Sequence, residues 1–384
     1  MTDTLKYDLT RDELSQFDRH RPVFVTFGEV MVRETPADLE RPERTRLVRL
    51  SMAGSEYSVA IGLSRLGISS AYITRLPDNP YGRAVQNIAR EHGVDTGHFV
   101  WAPKTELIGR YIYELGRTPR PGVGIYQRMH SAAARLDAGM VDWSAALPTA
   151  RLFHTTGITF GLAAHSGYQR NYNYAAFKEA MAHKPTDCLV GLDFNYRSTL
   201  WSEQEALETL TPILTEDVDI LITSIEDMAR FYGLGCGRYS PAQVLNGEVS
   251  HLHDDDLRAL ARQVHQRFGT EILAITRRYA DSIEQQRWES AAVDAKGNLC
   301  RSEAIRSMTI HDTLGGGDAW VAGFYYGLFT AGFNTEGMAK GVVVGDAATR
   351  LKQTMMFDLP IIDRHDIQFL LEADKSGGGK RTVR

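Results

Sequence analysis

The chain has 384 residues, of which 43% are hydrophobic, and its formal net charge is −5. This length allows one large α/β domain with a small appendage, or two domains, and the negative charge argues against a nucleic-acid partner. The three widely spaced cysteines suit a reducing cytoplasm and indicate neither a disulfide framework nor a metal cluster. Because no apolar run approaches the length of a membrane span and the first residues are charged rather than signal-like, we expect a cytoplasmic protein with no membrane partner.

The first 150 residues predict a buried strand, a helix and several half-exposed strands. Residues 1–20 are polar and charged, so we expect a loosely held tail or a short docking helix. A compact apolar run over residues 23–29 predicts a buried strand, and residues 53–67 predict a glycine turn followed by a helix that stops at Gly67. Alternating runs, two of which flank a Pro/Gly turn, predict half-exposed strands at residues 46–50, 108–115 and 123–129. These residues alone leave open whether the strands cover a binding site or form a solvated hairpin.

From residue 150 onward, short apolar segments alternate with helix-compatible stretches. We predict strands at residues 151–156, 188–194, 218–223 and 271–276. Strand–helix alternation is typical of a parallel, doubly wound sheet flanked by helices. Such sheets bind ligands at the carboxyl ends of their strands, so we expect the site there.

The remaining stretches of the second half are less regular. Residues 233–253 are rich in Gly, Pro, Asn and Ser without clear periodicity, which predicts an inserted loop. The acidic run at residues 254–256 indicates a helix start rather than a metal site. A helix is predicted within residues 335–351, and the glycine-rich, basic residues 373–384 predict a disordered tail. A single domain over residues 21–372 is the expected organisation.

Residues 311–320 begin with polar residues, continue with three consecutive glycines and end in the start of an apolar helix. Consecutive glycines turn tightly and leave their N–H groups uncovered, and the following helix directs its positive dipole end at the same place. The pattern predicts a site for an anion, such as a phosphoryl group in transfer. Asp318 stands among these N–H groups, where we expect the carboxylate to stay ionised and to take a proton from a hydroxyl. The alternative is an ordinary helix N-terminus whose acidic residue favours the dipole.

The order Asp-Thr-x-Gly-x-Gly-Asp over residues 312–318 resembles the C-terminal signature of the ribokinase-like (PfkB) sugar kinases. The resemblance implies an α/β fold with a ribokinase-like, doubly wound, mostly parallel sheet flanked by helices. It also implies a small β-sheet lid, formed by strands within about residues 30–50 and 107–130. In this family the glycine amides stabilise the transferred phosphoryl group and the last aspartate is the base on the sugar hydroxyl. The residues in these roles would be Gly315, Gly316, Gly317 and Asp318.

Three further segments are similar to the 2-keto-3-deoxygluconate (KDG) kinases within that family. Residues 126–133 follow the pattern Tyr-x-Arg-x-x-Ser-Ala, residues 154–158 follow His-x-x-Gly-Ile, and residues 193–201 hold Asn, Arg and Trp in a matching loop. Arginines suit an acidic sugar because a guanidinium group matches a carboxylate in a two-pronged geometry. The resemblance implies a substrate site formed by Gly54, Tyr126, Arg128, Asn195, Arg197 and Asp318.

Some positions depart from the family pattern on the substrate side. The turn at Gly54 is similar to the family's N-terminal signature, but Ser58 replaces an asparagine that helps to hold the sugar. Met355 stands roughly where KDG kinases carry a substrate-binding aspartate, and Asp358 is close by but out of register. Both departures bear on which sugar is bound.

The resemblance implies ATP and Mg²⁺ as cofactors, with a monovalent cation as a further candidate. The implied nucleotide-binding residues are Ser224, Thr276, Arg278, Gly315, Gly317 and Asp346, and Asp227 is implied near the magnesium, through water. Ser224 followed by acids is equally the pattern of a plain helix N-cap. Arg277 and Arg278 stand where the family has a small residue and a glycine, so they either pair with phosphates or block the backbone approach.

The sequence therefore predicts ATP-dependent phosphorylation of a primary hydroxyl of a sugar acid, 2-keto-3-deoxygluconate or a close relative. One alternative is a kinase for another sugar of the fructose or ribose type. The other is a sugar-acid-binding protein on a catalytically impaired kinase scaffold, which the intact Asp318 argues against because a binding module needs no base. Exposed strand edges around Val48 and Ile112 predict a homodimer through the lid sheet.

Overall fold

The computed structural model describes residues 7–9, 21–303 and 305–376. The rest of the two predicted tails, residues 1–6, 10–20 and 377–384, lies outside the described residues. The tail prediction is wrong for Tyr7 and Leu9, because both side chains are buried in the hydrophobic core and the Leu9 amide donates to Gln368 Oε1 at 3.2 Å. At the other end the last helix continues to Lys375, so the predicted tail boundary at residue 373 is too early.

The secondary structure follows the predicted alternation of strands and helices. The strands are β1 (Phe24–Phe27), β2 (Met31–Pro36), β3 (Val48–Ala53), β4 (Ser70–Ile73), β5 (Arg75–Pro77), β6 (Val100–Ala102), β7 (Gly109–Glu114), β8 (Val123–Gln127), β9 (Leu152–Thr156), β10 (Leu189–Asp193), β11 (Ile220–Thr223), β12 (Ile272–Ala280), β13 (Gln285–Asp294), β14 (Leu299–Arg301) and β15 (Arg306–Thr309). The helices are α1 (Ser55–Arg65), α2 (Pro80–Glu91), α3 (Trp143–Ala146), α4 (Gly157–His165), α5 (Tyr172–His183), α6 (Glu203–Glu216), α7 (Ile225–Tyr232), α8 (Pro241–Leu245), α9 (Asp254–Phe268), α10 (Gly316–Ala331), α11 (Thr335–Gln353) and α12 (Arg364–Lys375). Within the described ranges, these helices lack the combination of length and apolar character that a membrane crossing needs.

The large sheet has nine strands among the described residues, in the order β14-β13-β12-β11-β10-β9-β1-β4, with β15 paired to β13. The pairs from β12 to β4 are parallel, and β13 runs antiparallel to β12. The predicted doubly wound, mostly parallel sheet is thereby confirmed. Strand β12 continues past the predicted end at residue 276, because residues 277–280 pair with β13 in a long hairpin. The carboxyl ends of β10, β11 and β12 lie side by side, as expected for a ligand-binding edge.

Helices α10 and α11 pack against each other backbone to backbone. A side chain added at Gly323, Gly327 or Gly341 would collide with main-chain atoms of the facing helix, so glycine is needed at this crossing. Beside this crossing, the rings of Trp320 and Phe324 of α10 stack on each other, with centroids 4.8 Å apart. This close packing fixes the start of α10, which is where the three-glycine turn lies.

The second sheet of the described chain has four strands, in the order β3-β2-β7-β8. Strands β3, β7 and β8 were predicted, whereas β2 was not. Strand register puts Arg33, Tyr111 and Tyr126 in one row across β2, β7 and β8. The adjacent row consists of Glu34, Ile112 and Ile125, and since successive residues of a strand point to opposite faces, it lies on the other side of the sheet.

The segment predicted as an inserted loop contains the short helix α8. Ser240 caps this helix in a reciprocal arrangement with Gln243, and Pro241 occupies the first helical position. The loop prediction is therefore wrong for residues 241–245, and the capping pattern was a signal for the helix. The helix start predicted at Asp254 is confirmed by α9.

Candidate active site

The three-glycine turn, residues 315–317, leads directly into α10. Gly315 precedes the helix with φ of 78°, a left-handed conformation that favours glycine. A side chain there would also collide with the main chain of Asp358, and one at Gly316 would collide with Gln353. Gly317 faces open space. The first N–H groups of α10, which have no partner within the helix, are therefore presented to a cavity and can bind an anion.

Asp318 lies in the first turn of α10, and Ser55 Oγ donates to its Oδ1 at 2.6 Å. Burial is the main cause that raises the pKa of Asp318, and with the nearby acids Asp193, Asp358 and Glu56, and against the opposing hydrogen bond from Ser55, the pKa reaches about 8. The expectation that the turn keeps this carboxylate ionised is thus wrong for the ligand-free protein. The physical reason is that desolvation and neighbouring acids outweigh the helix dipole.

A cavity of about 150 Å³ lies between the second sheet (β3-β2-β7-β8, called the lid sheet below) and the start of α10. All six residues assigned to the substrate line it: Gly54, Tyr126, Arg128, Asn195, Arg197 and Asp318. Tyr126 and Tyr111 reach it from the lid sheet, with their rings stacked 5.1 Å apart. The second sheet therefore lies over this cavity, in the position predicted for a lid.

A larger cavity of about 490 Å³ lies on the other side of Asp318, along the ends of β10, β11 and β12. The predicted nucleotide and magnesium residues that line it are Ser224, Asp227, Thr276, Arg278, Gly315 and Gly317, and the predicted catalytic residue Gly316 lines it too. Asp318 and Gly315 line both cavities. A group bound in the smaller cavity and one bound in the larger would therefore meet at the glycine turn.

The two arginines assigned to a substrate carboxylate have different surroundings. Arg128 is buried and donates to Glu29 from both Nε, at 2.7 Å, and Nη2. Ser131 Oγ donates to the other oxygen of Glu29 at 2.5 Å. Arg197 is exposed, and its one hydrogen bond among the described residues is to the carbonyl of Tyr196 at 3.2 Å. The charge of Arg197 is consequently available to a ligand, whereas that of Arg128 is largely neutralised.

Asp358 lines the smaller cavity, although its position is out of register with the family pattern. Its Oδ1 accepts from Arg33 Nη1 at 2.7 Å and from Tyr111 at 3.0 Å. Met355, at the position expected from the pattern, packs against the hydrophobic core instead. Sequence reasoning also missed Glu29 and Ser55, whose signals were the Gly-Glu end of β1 and the residue after the Gly54 turn.

On the nucleotide side, Ser224 is both an N-cap and a cavity residue. It accepts from the Asp227 amide at 3.0 Å and donates to Asp227 Oδ2 at 2.8 Å. The cap alternative for Ser224 is therefore correct, and the cap does not remove either side chain from the cavity. Burial raises the pKa of Asp227.

Arg277 and Arg278 point in different directions because they are neighbours on a strand. Arg277 donates to the carbonyl of Val249 and lies 4.7 Å from the ring of Tyr279. Arg278 is exposed and lines the larger cavity. Of these two neighbours, Arg278 alone thus reaches the space where phosphates would lie, a space that Arg197 also lines, and this favours pairing over obstruction.

Asp346 does not line the larger cavity. Its carboxylate accepts from Ser290 at 2.5 Å, Ser302 at 2.6 Å and Trp320 Nε1 at 3.1 Å. Burial raises its pKa to about 6. It lies in an adjacent cavity of about 40 Å³, and Trp288 lines both spaces. Asp346 is therefore held apart from the other predicted nucleotide residues.

The described ranges contain no group of three or more His, Cys, Asp or Glu side chains suited to a metal ion. Mg²⁺ that arrives with a nucleotide is commonly held by substrate phosphates, water and one or two carboxylates. Asp227, which lines the larger cavity together with the carboxylates of Asp193 and Asp318, is the predicted contact to water on the magnesium.

Comparisons with known proteins agree with this geometry. The profile of the pfkB family carbohydrate kinases matches residues 23–357. The chain is 30% identical to the 2-dehydro-3-deoxygalactonokinase of Haloferax volcanii, over 92% of this chain and 98% of the relative. It is 27% identical to the 2-dehydro-3-deoxygluconokinase of Thermoproteus tenax, over 73% of this chain and 74% of the relative. The crystal structure of 2-dehydro-3-deoxygluconokinase from Thermotoga maritima is similar with a TM-score of 0.80 and 28% identity, over 92% of this chain and 99% of that one.

Proposed function

Because the chain belongs to the pfkB family of carbohydrate kinases, we propose that it transfers the γ-phosphoryl group of ATP to a primary hydroxyl of a sugar acid. The substrate class is a 2-keto-3-deoxy acid, 2-keto-3-deoxygluconate or a close relative such as its galactonate counterpart. The observation that carries the proposal is the position of Asp318 and Gly315 in the walls of two cavities. One cavity has the polar lining that a small acid needs, and the other has room for a nucleotide.

The residues of this chain have distinct tasks in the transfer. The acceptor hydroxyl lies against Asp318, which must first lose its own proton and then takes that of the hydroxyl. The amides of the glycine turn face the transferring group and stabilise its charge together with the dipole of α10. Arg278 pairs with phosphate oxygens of the donor. Magnesium, when bound, neutralises charge on those oxygens.

The acidic substrate is favoured by the charges around the smaller cavity. Arg197 is the exposed cation on its wall, whereas the Arg128–Glu29 pair contributes little net charge. A carboxylate beside Arg197 gains a charge-assisted hydrogen bond that a neutral hydroxymethyl group does not. Asn195, and the Oδ2 atom of Asp358, which Arg33 does not bind, are partners for the hydroxyl groups of the acceptor.

The proposal is tested by ATP-dependent phosphorylation across a panel of sugar acids and matched neutral sugars. Highest kcat/KM on a 2-keto-3-deoxy acid is the expected result. A clear preference for a neutral sugar of the fructose or ribose type would contradict the acidic substrate class but would be consistent with a sugar kinase. Acid binding without any phosphoryl transfer would favour the impaired sugar-acid-binding protein.

We further propose that the kinase is a cytoplasmic homodimer that pairs through the outer face of the lid sheet. This face carries exposed Leu50 and Ile125 in one row with Glu34 and Ile112, and an exposed, mostly apolar sheet face is typical of an interaction surface. Ile112 lies on the inner strand β7, so the edge expected there is wrong and the proposed pairing is through the face. The three cysteines are free thiols, which suits a reducing compartment. Sedimentation at micromolar concentration should give a dimer for the wild type and a monomer for a variant with Leu50→Glu and Ile125→Glu. A monomeric wild type would contradict the dimer.

A further inference from the structure

Two cations are buried directly behind the glycine turn. Arg33 of β2 is fully buried, and it donates to Asp312 Oδ2 at 2.6 Å and to Asp358 Oδ1 at 2.7 Å. Lys352, near the end of α11, is also fully buried, and its Nζ donates to the carbonyl oxygen of Asp312 at 3.4 Å. Two carboxylates thus face two cations, so the cluster is balanced in charge, as buried ionic groups need to be.

The cluster holds the glycine turn from two sides. Asp312 Oδ1 accepts from the amide of Leu314, the residue before the turn, at 3.2 Å. The main chain of Asp358 packs so closely on Gly315 that no side chain fits between them. Because Arg33 binds both carboxylates, the position of the turn depends on this guanidinium group.

Arg33 also joins the turn to the lid. It belongs to the row of lid residues that includes Tyr111, and the Tyr111 hydroxyl donates to the same carboxylate of Asp358. Its guanidinium lies 4.7 Å from the ring of Tyr113, whose hydroxyl lies 2.9 Å from Thr313 Oγ1. The buried guanidinium of Arg33 thus connects the lid strands to residues 312–313, which lead into the turn.

The residues around the turn do not fit a bound monovalent cation, the further cofactor that the resemblance offered. Such an ion needs oxygen ligands beside the turn, where the buried carboxylates are Asp312 and Asp358. Both are already bound by Arg33, and the carbonyl of Asp312 faces Lys352. An added cation would stand beside a guanidinium and an ammonium group at low dielectric, where like charges repel strongly.

We propose that Arg33, supported by Lys352, provides the cation that compensates Asp312 and Asp358 behind the glycine turn, so that this kinase needs no monovalent cation. The inference rests on the proposed function, since it concerns the same phosphoryl transfer. Arg33 is a positioning residue, because it lines neither cavity and acts through Asp312 and Asp358. An arginine stays protonated at all working pH values, so the charge it supplies does not vary with pH or salt composition.

The direct test compares wild-type kinetics with a sugar acid in potassium, sodium and tetramethylammonium salts at equal ionic strength and fixed magnesium. We expect kcat and KM to agree within about twofold in the three salts, because the internal charge is always present. A saturable stimulation of kcat by potassium or sodium of about tenfold or more would overturn the inference and leave the proposed function intact. Absence of phosphorylation in every salt would overturn the proposed function and this inference with it.

Variants at Arg33 separate the fixed charge from a merely structural role. Arg33→Met should lower kcat by about ten- to a hundredfold, with part of the loss restored by millimolar guanidinium or potassium, and Arg33→Lys should retain more activity than Arg33→Met. Arg46→Met, at an exposed position of the same segment, is the matched control and should behave as wild type. A folded Arg33→Met with wild-type kcat in tetramethylammonium would overturn the role of Arg33. The wild-type salt comparison decides the inference alone if Arg33→Met does not fold.

Discussion

Arg128 is bonded through two of its nitrogens to Glu29, and the pair is buried beside the smaller cavity. The segment around Arg128 was therefore assigned correctly to the cavity wall, but its charge already has a partner. Arg197, on the same wall, forms no ion pair with a carboxylate within the described part of the chain, and its charge interacts with Asp193 and Asp227 only at longer range. This difference predicts that Arg197 recognises the carboxylate of a ligand and that Arg128 shapes the wall.

Arg197→Met should raise KM for a sugar acid by about ten- to a hundredfold, because a charge-assisted hydrogen bond contributes about 1.5–3 kcal/mol. The effect on a neutral sugar of the same length should be much smaller, since that substrate offers no charge to the guanidinium group. The measurement is kcat/KM on both substrates. Equal losses on the two would remove Arg197 from carboxylate recognition.

Arg128→Met is the companion variant, and it should act mainly through stability. Removal of one partner of a buried ion pair leaves the other charge uncompensated, which costs about 3–5 kcal/mol. We therefore expect a lower melting temperature and similar losses on acidic and neutral substrates. An unchanged melting temperature with a loss confined to the acid would assign Arg128 to the substrate carboxylate after all.

The rate should depend on pH through Asp318. Its pKa is raised to about 8, and a general base acts in its deprotonated form, so kcat/KM should rise with pH, reach half of its maximum near that value and level off above it. On the acid side the decline should approach about tenfold per pH unit for one ionising group. Asp193, with a pKa raised to about 7 in the same cavity, adds a second ionisation below it. A profile that is flat down to about pH 5 would show that Asp318 is ionised throughout.

The same raised pKa predicts that Asp318 weakens the fold at neutral and alkaline pH. An unfolded aspartate ionises near about pH 4, and the folded one near 8, so between these values only the folded state keeps the proton. The stabilisation is complete below about pH 4 and is lost as pH rises to about 8. Asp318→Asn cannot ionise, so its melting temperature should exceed that of the wild type by a margin that grows across this window.

The control for the stability measurement is Asp187→Asn, at an exposed position. Its melting temperature should follow that of the wild type at every pH. A margin for Asp318→Asn that is constant from about pH 5 to about pH 9 would contradict the raised pKa.

The glycines of the turn should differ in what they tolerate. Gly315→Ala places a side chain on a left-handed residue, which costs about 1–2 kcal/mol, and against the main chain of Asp358, so both stability and kcat should fall. Gly317→Ala meets no atom within 4 Å, so the fold should be kept while the methyl group enters the larger cavity and raises KM for ATP. Melting curves and ATP kinetics of the two variants distinguish the cases. A wild-type KM for ATP in Gly317→Ala would show that the phosphates of ATP do not contact the turn at Gly317.

The sequence was informative where the signal is local. Strand–helix alternation predicted the parallel sheet, and the three glycines before an apolar helix predicted a turn with open amides, because both patterns depend on neighbouring residues. The same reasoning placed Arg197 and Asn195 at the end of β10. Each of these predictions needed only the order of residues along one segment.

The remaining features depend on contacts between distant segments. Arg33 and Asp358 are far apart in the sequence, and their pairing joins the lid strand β2 to the segment that follows α11. The sequence predicts an ionised Asp318, because it shows the adjoining amides of the glycine turn. It does not show the burial of Asp318 or its proximity to Glu56 and Asp193, which raise the pKa. The hydrogen bonds that hold Asp346 apart from the larger cavity likewise come from β13, α10 and the segment after β14.

The role of Asp318 between acceptor and donor is tested most directly by the turnover of Asp318→Asn on a 2-keto-3-deoxy acid, with acid binding measured on the same preparation. Loss of the base should lower kcat by about 10²–10⁴, while the acid still binds, because the carboxamide of the variant keeps an oxygen for the hydrogen bond from Ser55. A variant that binds the acid and turns it over within about tenfold of the wild-type rate would contradict the assignment of Asp318 as the base of a sugar-acid kinase.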